Sequence, residues 1–406
     1  MDIIKKINPS KKEREQVNKT IDSFLKKIKR KLKDATPEVG GSMAKDTWLA
    51  GDHDIDIFVK FPYKKYKTQN ISKILQERLK GIKYQVLHGS RDYLQVKEGK
   101  YLFELIPVLD ISHSSKLANI TDVSPLHAQY VKKHNHNPIQ IRIAKAFLKA
   151  NNLYGAESYI KGFSGYVTEL LILHYKTFPN LIKAASSWKP RTIIDLSNYY
   201  KNNNEVLKNI NKDKITNLIL IDPVQTERNA AAALSEEKYF EFIQLCKDYL
   251  RHPKKEYFEL KDFNIKELKE KARKNKLITF IIAPLNGKPD VVGSKILKVF
   301  NYFNDKIRKE GFKIIESKWQ WKDEALLYYI VKNEKLSNQT IHYGPFTRDE
   351  DNVLKFKQKW KKIYYTKDRV YVKLKRVNNT INKLSKFLLK DNYVRSNIKS
   401  IKLKVY

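Results

Sequence analysis

The spacing of apolar residues changes from helical to strand-like along the first part of the chain. Between residues 11 and 33 they recur every three or four positions, with lysines on the other face, which predicts an amphipathic helix. A turn-rich segment, ATPEVGGSMAKDTW, leads to an alternating strand that begins at Asp54 and that residues 60–62 are expected to end. A second apolar strand is predicted over residues 101–109. This part of the chain therefore has the pattern of an α/β domain.

The rest of the chain reads as helical first and mixed afterwards. Helical spacing recurs over residues 141–151, 166–175 and 236–249. It is followed by a strand, a helix and two strands, over residues 277–283, 294–309, 313–316 and 325–331. A β-α-β-β order is typical of a small ferredoxin-like or RNA-recognition-like layer. We therefore predict an α+β multidomain fold with domains over residues 1–115, 116–255 and 256–406.

The charge balance indicates a polyanionic partner. The 406 residues include 81 Lys or Arg against 44 Asp or Glu, a formal net charge of +37. Such a field attracts nucleic acid, although a merely soluble basic surface or an anionic membrane remains an alternative. No stretch approaches the ~20 apolar residues of a membrane span, so we expect no membrane partner. Cys246 is the only cysteine, which excludes an intrachain disulfide and fits a cytoplasmic protein.

Two acids on the first strand are the main candidates for chemistry. Asp54 and Asp56 are two residues apart, so their side chains project from the same face of the strand. Neighbouring carboxylates repel each other unless a cation lies between them, and oxygen ligands of this kind suit Mg²⁺. The apolar residues around them anchor the strand in a core. The pair therefore predicts a magnesium site rather than a solvated strand face.

A third acid is expected because phosphoryl transfer to a hydroxyl is typically assisted by two metal ions. Glu104 is an acid within an otherwise apolar strand, where an unpaired carboxylate would be costly. It could also accept the proton of the attacking hydroxyl. Asp110 competes for this role, because it lies on the same face of the strand. Pro107 lies between the two and is expected to break the strand, so we favour Glu104.

A glycine-serine step before the acids could bind phosphate. Gly41, preceded by another glycine, permits a tight turn and a close approach of the backbone to a ligand. If Ser42 opens a short helix, its hydroxyl and the free N–H groups could bind a triphosphate. Lys45 follows one turn later and could reach the same phosphates. Neither motif is specific alone, but their order indicates a nucleotidyltransferase.

The run GSMAKDTWLAGDHDIDIFVKFP resembles the active-site signature of archaeal (class I) CCA-adding enzymes of the polymerase-β nucleotidyltransferase superfamily. The segments SPLHAQY, IRIAKAFLKANNLYGAESYIKGFSGYVTELLI and IDPVQTERNAAAALS are similar to that family in the same order, and YGPF resembles a landmark near its C-terminus. The resemblance implies a polymerase-β-like palm, a helical central domain that binds nucleotide and tRNA, and a basic C-terminal α/β region that binds tRNA. It also implies template-independent addition of C, C and A to tRNA from CTP and ATP, with Mg²⁺, by a homodimer.

The resemblance also implies roles for individual residues. Asp54 and Asp56 match the family's metal-binding acids, and Glu104 matches a third acid that is usually Asp. Gly41 and Ser42 fall in the signature, and Lys45 stands where Arg is common, which keeps the charge but loses the bidentate fork. The remaining nucleotide contacts implied are on the triphosphate and ribose side, from His127, Lys145 and Tyr154, and in nucleotide selection, from Arg228.

Each of those matches has a plainer reading, and so does the function. His127 could be a structural histidine, Lys145 a solvated lysine, Tyr154 a turn cap and Arg228 an ion-pair partner. A poly(A)-type or other terminal transferase could share the same signature. A non-catalytic RNA-binding protein could retain the same fold after losing its activity. The presence of acids at positions 54, 56 and 104 argues against such a loss.

Overall fold

The computed structural model describes residues 2–260, 262–332 and 335–406. The chain forms two compact units, Met1–Lys261 and Asp262–Tyr406. Within the described ranges, none of the helices combines the length and the apolar character that crossing a bilayer would need. The finer division into three domains stays a prediction.

A five-stranded sheet forms the first part of the first unit. Its strands are β1 (Thr36–Val39), β2 (Asp54–Pro62), β3 (Gln85–Leu87), β4 (Tyr93–Glu98) and β5 (Tyr101–Asp110). The helices of this part are α1 (Asp2–Ile7), α2 (Lys11–Lys29), α3 (Gly41–Ala44), α4 (Tyr63–Tyr66) and α5 (Ile71–Arg78). The strand order is β1-β2-β5-β4-β3, with β2 and β5 parallel and the other pairs antiparallel.

Helix α2 packs its apolar side against this sheet, as the sequence pattern predicts. The rings of Phe24 and Phe103 stack at 3.9 Å between centroids, and Ile55 and Ile57 lie fully buried in the same core. Because side chains alternate along a strand, the residues between these project from the opposite face, which is polar at the start of β2 and apolar further along, at Phe58. The acids of β2 lie on that opposite face.

The prediction that Pro107 breaks the second strand is wrong. Strand β5 runs through Pro107, which pairs with Val59 of β2. Strand β4 pairs with β5 only from Tyr101 to Leu105, so one edge of β5 has lost this neighbour by residue 107. A proline is tolerated there because its missing N–H removes no ladder hydrogen bond on that side.

The second part of the first unit is helical, as predicted. Its elements are α6 (Ser124–His134), α7 (Pro138–Ala150), α8 (Gly165–Tyr175), α9 (Phe178–Ala185), β6 (Thr192–Ile194), α10 (Asn203–Asn209), β7 (Leu218–Leu220) and α11 (Glu236–Arg251). Short 3₁₀ turns lie at Ser114–Lys116, Ile120–Val123, Lys212–Lys214 and Lys255–Phe258. Ser164 caps α8 by accepting a hydrogen bond from Val167 N at 3.1 Å. Leu170 and Phe147 are fully buried, so α7 and α8 meet in one core.

The second unit contains two sheets. Its elements are α12 (Ile265–Ala272), β8 (Lys276–Ala283), α13 (Pro289–Lys309), β9 (Ile314–Trp321), β10 (Ala325–Val331), β11 (Gln339–Phe346), α14 (Glu350–Lys359), β12 (Tyr364–Tyr365), β13 (Arg369–Lys375), α15 (Ile381–Leu388), α16 (Asn392–Asn397) and β14 (Ser400–Val405). The strand orders are β14-β8-β10-β9 and β11-β13-β12. The predicted β-α-β-β order is confirmed as β8-α13-β9-β10, while β14 and the three-stranded sheet were not predicted.

Candidate active site

The two acids of β2 lie where the alternation of the strand puts them. Asp54 is exposed and Asp56 half-buried, whereas Ile55 and Ile57 between and beside them are fully buried. The surrounding protein still desolvates part of the Asp54 carboxylate and so raises its pKa, and the nearby Asp52 adds to the rise. Burial also raises the pKa of Asp56, and Asp54 adds to the rise while Lys45 opposes it. The pair therefore carries repulsion that a bound cation would relieve.

Glu104 lies beside this pair in the sheet. It is the register partner of Asp56 across the parallel β2–β5 ladder, so the two side chains share a face. Gln95 Nε2 of β4 donates a hydrogen bond to Glu104 Oε1 at 3.1 Å. Asp110 pairs instead with Pro62, at the far end of β2, and its carboxylate lies 2.9 Å from Lys60 Nζ. Glu104 thus remains the nearer acid, for reasons of register and pairing rather than a broken strand.

A glycine turn closes over Asp56. Gly41 has a φ of +56°, and a Cβ built on it would lie 1.6 Å from Asp56 Oδ2. Gly40 N donates to Asp56 O at 2.8 Å and so ties the turn to the strand. Any side chain at position 41 would collide with the carboxylate, so only glycine permits this approach. A short helix is present here, but Gly41 rather than Ser42 opens it, and Ser42 is the second residue of α3.

The acids fit a divalent cation by their chemistry. They offer carboxylate oxygens, and desolvation raises the pKa of both, with the charge of Asp54 adding to the rise at Asp56. Within residues 2–260, 262–332 and 335–406, however, no group of three or more His, Cys, Asp or Glu side chains is arranged to hold a metal ion. The metal-binding role of all three acids together therefore stays a prediction.

The two predicted lysines meet at a buried carboxylate that the sequence analysis did not name. Lys45 Nζ donates to Glu169 Oε2 at 2.6 Å, and Lys145 Nζ donates to Glu169 Oε1 at 2.9 Å. Thr47 Oγ1 donates to Glu169 Oε1 at 2.7 Å and accepts from Lys145 Nζ at 2.9 Å. Burial would raise the pKa of Glu169, but Lys145 and Lys45 outweigh it and lower the value to about 2. Glu169 is therefore a buried anion held between two ammonium groups.

Asp56 is coupled to the same ammonium groups. Lys45 and Lys145 both oppose the rise of the Asp56 pKa through their charge. Burial lowers the pKa of Lys145, and Glu169 opposes this while Lys45 adds to it. Charges of opposite sign thus alternate from the strand acids through the lysines to Glu169.

One face of α7 fixes the loop that carries Lys45. Arg142 donates to Asp46 O at 2.6 Å and to Trp48 O at 2.9 Å, and Lys145 donates to the carbonyl of Thr47 at 3.2 Å. Lys149 Nζ lies 3.3 Å from Asp52 Oδ1. These three basic residues are spaced three and four apart, so they share one side of the helix. The loop between α3 and β2 is thereby held along most of its length.

A second buried carboxylate gathers the other predicted residues. Asp222 Oδ2 lies 2.8 Å from His127 Nε2 and 2.6 Å from Arg228 Nη1, while Tyr166 Oη donates to Asp222 Oδ1 at 2.9 Å. The rings of His127 and Tyr166 stack at 4.2 Å between centroids. Burial would raise the pKa of Asp222, but His127 and Arg228 lower it to about 2. His127 and Arg228 thus share Asp222, whereas the two lysines share Glu169.

Tyr154 lies at the edge of the lysine group. Its hydroxyl is 2.8 Å from a Cβ built on Gly165, at the start of α8, and Lys149 Nζ lies 5.4 Å from the centre of its ring. Burial raises the pKa of Tyr154, and the charge of Glu169 adds to the rise. The phenol is therefore a neutral hydrogen-bonding group at physiological pH.

Glu169 and Asp222 could have been found from the sequence. Each is a single acid in or directly after an apolar run, in YVTELLIL and LILID respectively. The argument that selected Glu104 applies to both, because a carboxylate in an apolar segment must find a partner when it is buried. Tyr166 gives no comparable signal, since an aromatic residue on a buried helix needs no partner to explain it.

Known protein families match the chain in order along its length. The nucleotidyltransferase domain matches residues 21–106, the second domain of tRNA nucleotidyltransferases matches residues 139–259, and the C-terminal domain of CCA-adding enzymes matches residues 274–399. Among solved structures, a Cid1 poly(U) polymerase is similar with a TM-score of 0.50 and 13% identity, over 64% of this chain and 97% of that one. That similarity shows the polymerase-β-like nucleotidyltransferase fold.

Similarity to individual proteins extends over most of the chain. The CCA-adding enzyme of Nanoarchaeum equitans is 34% identical over 368 residues, which cover 89% of this chain and 90% of that protein. The CCA-adding enzyme of Sulfurisphaera tokodaii is 28% identical over 391 residues, which cover 95% and 90%. The strand acids, the glycine turn and the basic groups beside them therefore lie in a chain that belongs to the archaeal family of CCA-adding enzymes.

Proposed function

We propose that this enzyme adds C, C and A in turn to the 3′ end of tRNA, with CTP and ATP as substrates and without a nucleic-acid template. The observation that carries the proposal is the carboxylate pair of Asp54 and Asp56 beside the ammonium pair of Lys45 and Lys145. Asp56 interacts electrostatically with both lysines. A nucleotidyltransferase needs such a combination, because acids hold metal ions and cations neutralise the phosphates.

In the proposed reaction the 3′-hydroxyl oxygen of the RNA attacks the α-phosphorus of the nucleotide. A new P–O bond forms, the bond to the β-phosphate oxygen breaks, and pyrophosphate leaves with the electron pair of that bond. Asp54, Asp56 and Glu104 would hold Mg²⁺, which when bound neutralises charge on the attacking and leaving oxygens. Glu104 is our candidate to accept the hydroxyl proton. Gly41, Ser42 and Lys45 would bind the triphosphate.

The choice between C and A would depend on the group around Asp222. Arg228 presents a planar fork of donors, and His127 and Tyr166 present a stacked pair of rings. Such directional groups can distinguish base edges, whereas lysines respond mainly to charge. We propose that Arg228 and His127, together with the RNA end, select the nucleotide. Tyr154 and Lys145 would contribute to the triphosphate and ribose side.

The three-stranded sheet of the second unit supports tRNA as the substrate. Val370 and Val372 of β13 are buried, and the alternate residues of the strand form the other face. This aromatic–basic face comprises Tyr343, Phe346, Tyr364, Arg369, Tyr371, Lys373 and Lys375. Arg369 lies 3.9 Å from the ring centre of Phe346, and the rings of Tyr364 and Tyr371 stack at 5.3 Å. Cations beside exposed rings are a surface that RNA backbones and bases bind.

We also propose a homodimer in the cytoplasm, with the three domains bounded near residues 115 and 255. The net charge of +37 supports the polyanionic partner. The family membership supports the homodimer, the cytoplasmic location and the division into three domains. Sedimentation of the protein with and without tRNA would measure the oligomeric state.

Labelled CTP and ATP tested on tRNAs that end before C, after one C and after two would examine the proposal. With Mg²⁺, we expect ordered addition of C, C and A that then stops. Addition should be lost in the double variant D54A/D56A. Open-ended or A-only tailing would indicate another terminal transferase. Binding of tRNA without any incorporation would indicate a non-catalytic RNA-binding protein.

A further inference from the structure

We propose that Glu169 is a positioning residue for the triphosphate. Glu169 keeps Lys145 hydrogen-bonded inside the protein, and it holds the ammonium group of Lys45 where that group binds the phosphates. The inference rests on the proposed function, because the phosphates are those of CTP and ATP. It assigns different tasks to two lysines that the sequence analysis treated as equal contacts.

Counting donors separates the two lysines. An ammonium group has three N–H donors. Lys145 Nζ has three acceptors within 3.2 Å, namely Glu169 Oε1, Thr47 Oγ1 and Thr47 O, and its side chain is 4% exposed. Lys145 must therefore give up an internal hydrogen bond before it can bind a phosphate. Its charge still acts on the site from inside the protein.

Lys45 has donors to spare. Its Nζ donates to Glu169 Oε2 at 2.6 Å, which is its single acceptor among the described residues, and its side chain is 10% exposed. Two N–H donors of Lys45 thus remain for a ligand. They belong to a residue only three positions after Ser42, next to the glycine turn that approaches Asp56.

The two oxygens of Glu169 account for the difference. Oε1 accepts from Lys145 and Thr47, and Oε2 accepts from Lys45. Glu169 lies on α8, where its neighbours Leu170 and Leu171 are packed in the core, so the carboxylate is anchored on a rigid helix. A lysine has a flexible four-carbon stem, and a fixed carboxylate restricts where its ammonium group can lie.

Asp56 is the competing partner that Glu169 must outweigh. Lys45 is the largest of the charges that oppose the raised pKa of Asp56, so the two groups attract each other. Without the negative charge of Glu169, Lys45 would be drawn towards Asp56, where it would occupy the side of the proposed metal ion. Glu169 thus keeps the phosphate-binding cation and the metal-binding acid apart.

The substitution E169Q tests the proposal against a matched control, D122N. Gln keeps the size of the side chain and removes the charge. Asp122 is also a fully buried carboxylate of the first unit, and it is bound by Arg91 and by the backbone N–H groups of Leu109 and Asn119. Both substitutions are therefore expected to lower the melting temperature, because each leaves a buried cation without its anion.

Of the two substitutions, only E169Q should weaken the binding of nucleotide. We expect E169Q to raise the equilibrium Kd and the KM for both CTP and ATP by about 10- to 100-fold, the worth of one charge-assisted hydrogen bond. The KM for tRNA should change by less than about twofold. D122N should leave all three values near those of the wild type. If E169Q lowers the melting temperature as D122N does and leaves nucleotide Kd and KM unchanged, Glu169 is structural and the proposal is overturned.

The pH profile gives a second readout. The charged groups that act on Lys145 are Glu169, Lys45 and Lys149, and Lys145 in turn acts on Asp56. Burial lowers the pKa of Lys145 and Glu169 opposes that effect, so removal of the carboxylate lets the pKa fall further. As the pH is raised, nucleotide affinity should therefore begin to fall at a lower pH in E169Q than in the wild type. An alkaline limb at the same pH in both proteins would contradict the proposal.

A milder variant serves if E169Q does not fold. T47V removes the hydroxyl that bridges Lys145 and Glu169 but keeps both charges. It should raise the Kd for CTP and ATP by about threefold, and an unchanged Kd would overturn the proposal. Direct binding of CTP or ATP separates this test from the proposed function. A wild type that binds nucleotide without adding it to tRNA would defeat the function and leave the role of Glu169 measurable.

Discussion

Two buried carboxylates of the first unit have similarly lowered pKa values but different kinds of cationic partner. Glu169 and Asp222 are both fully buried, and cationic partners bring the pKa of each down to about 2. Glu169 holds two lysines, of which Lys145 is buried and Lys45 is partly exposed. Asp222 holds Arg228, which is a third exposed, together with a histidine and a tyrosine. The group around Glu169 therefore consists of point charges, whereas the group around Asp222 contains hydrogen-bond donors with fixed directions.

The difference indicates how one site can use two nucleotides. The triphosphate is common to CTP and ATP, so point charges on lysines are sufficient to bind it. The bases differ, and planar groups with fixed donors are needed to tell them apart. We infer that the Glu169 group contributes equal affinity for both nucleotides and that the Asp222 group contributes the preference between them. Five measurements would break or sharpen this contrast.

The largest effect should come from an acid outside both groups. D56A removes a proposed metal ligand and should lower kcat for C and A addition by about 10³-fold, the loss typical of a group that stabilises charge in the transition state. Binding of CTP should persist, because Lys45 and Glu169 are retained. Single-turnover incorporation and equilibrium binding measure the two effects. A D56A enzyme with normal kcat would remove the chemistry from β2 and with it the reason to contrast the groups.

K45M should weaken the binding of CTP and of ATP to the same degree. The variant removes the ammonium group with spare donors, so Kd for CTP and for ATP should rise about 10- to 100-fold. The ratio of the two Kd values should stay within about twofold of the wild-type ratio. Equilibrium binding of each nucleotide provides the comparison. A change confined to one nucleotide would break the assignment of Lys45 to the shared triphosphate.

R228K should change preference rather than overall affinity. Lysine keeps the charge beside Asp222 but loses the planar fork, so the ratio of kcat/KM for the correct and incorrect nucleotide should fall about tenfold on tRNA ending in CC. The measurement is competition between CTP and ATP at that step. R191K, at an exposed arginine of the same unit, is the matched control and should keep the ratio. Equal losses for CTP and ATP in R228K would make Arg228 another charge donor.

Acid pH should destabilise both groups together. The pKa values of Glu169 and Asp222 fall from ordinary values of 4.5 and 3.8 to about 2 in the folded protein. Their contribution to the free energy of unfolding is thus present above about pH 4.5 and lost as the pH falls towards 2. Urea unfolding between pH 6 and 2.5 would measure it. D222N should have a shallower loss than the wild type, and identical slopes would show that Asp222 is not an ion-paired anion.

The smallest effect should come from Y166F. The variant keeps the ring that stacks on His127 and removes one hydrogen bond to Asp222. Preference between C and A should change by about two- to fivefold, with unchanged affinity for pyrophosphate. Steady-state kinetics with both nucleotides and inhibition by pyrophosphate would separate the two. Y200F, which loses the hydrogen bond from Tyr200 Oη to Thr226 O, provides a matched loss of hydroxyl.

Much of the fold can be predicted from apolar spacing, because in a long amphipathic segment the period of the apolar residues indicates both the type of element and its buried face. The helix from residue 11, the strands at Asp54 and residue 325, and the β-α-β-β order are confirmed. Strand β14 could not be predicted, since it joins the sheet through β8, more than a hundred residues earlier in the chain. The aromatic–basic face likewise depends on pairing between distant strands rather than on local spacing.

The site was predicted in part for the same reason. The acids of β2 and the glycine turn are local in sequence, so alternation and turn chemistry are enough to relate them. The partner of Lys45, Glu169, is 124 residues away in the chain, and those of His127 lie on two different segments, at Tyr166 and Asp222. Pro107 illustrates the opposite failure, because a local rule was applied without knowing that β4 ends its pairing at Leu105.

The grip of α7 and α8 on the loop after Lys45 has a consequence for the exchange of parts between related proteins. Lys45 and Asp46 lie in the segment that matches the nucleotidyltransferase domain, whereas Arg142 and Glu169 lie in the segment that matches the second domain. A chimera that took one segment from a distant relative would strand a charge in its interior unless the other segment carried the reciprocal residue. We therefore expect a shuffled library of this family to yield folded proteins when crossovers fall after residue 261 and to fail when they fall between residues 52 and 139.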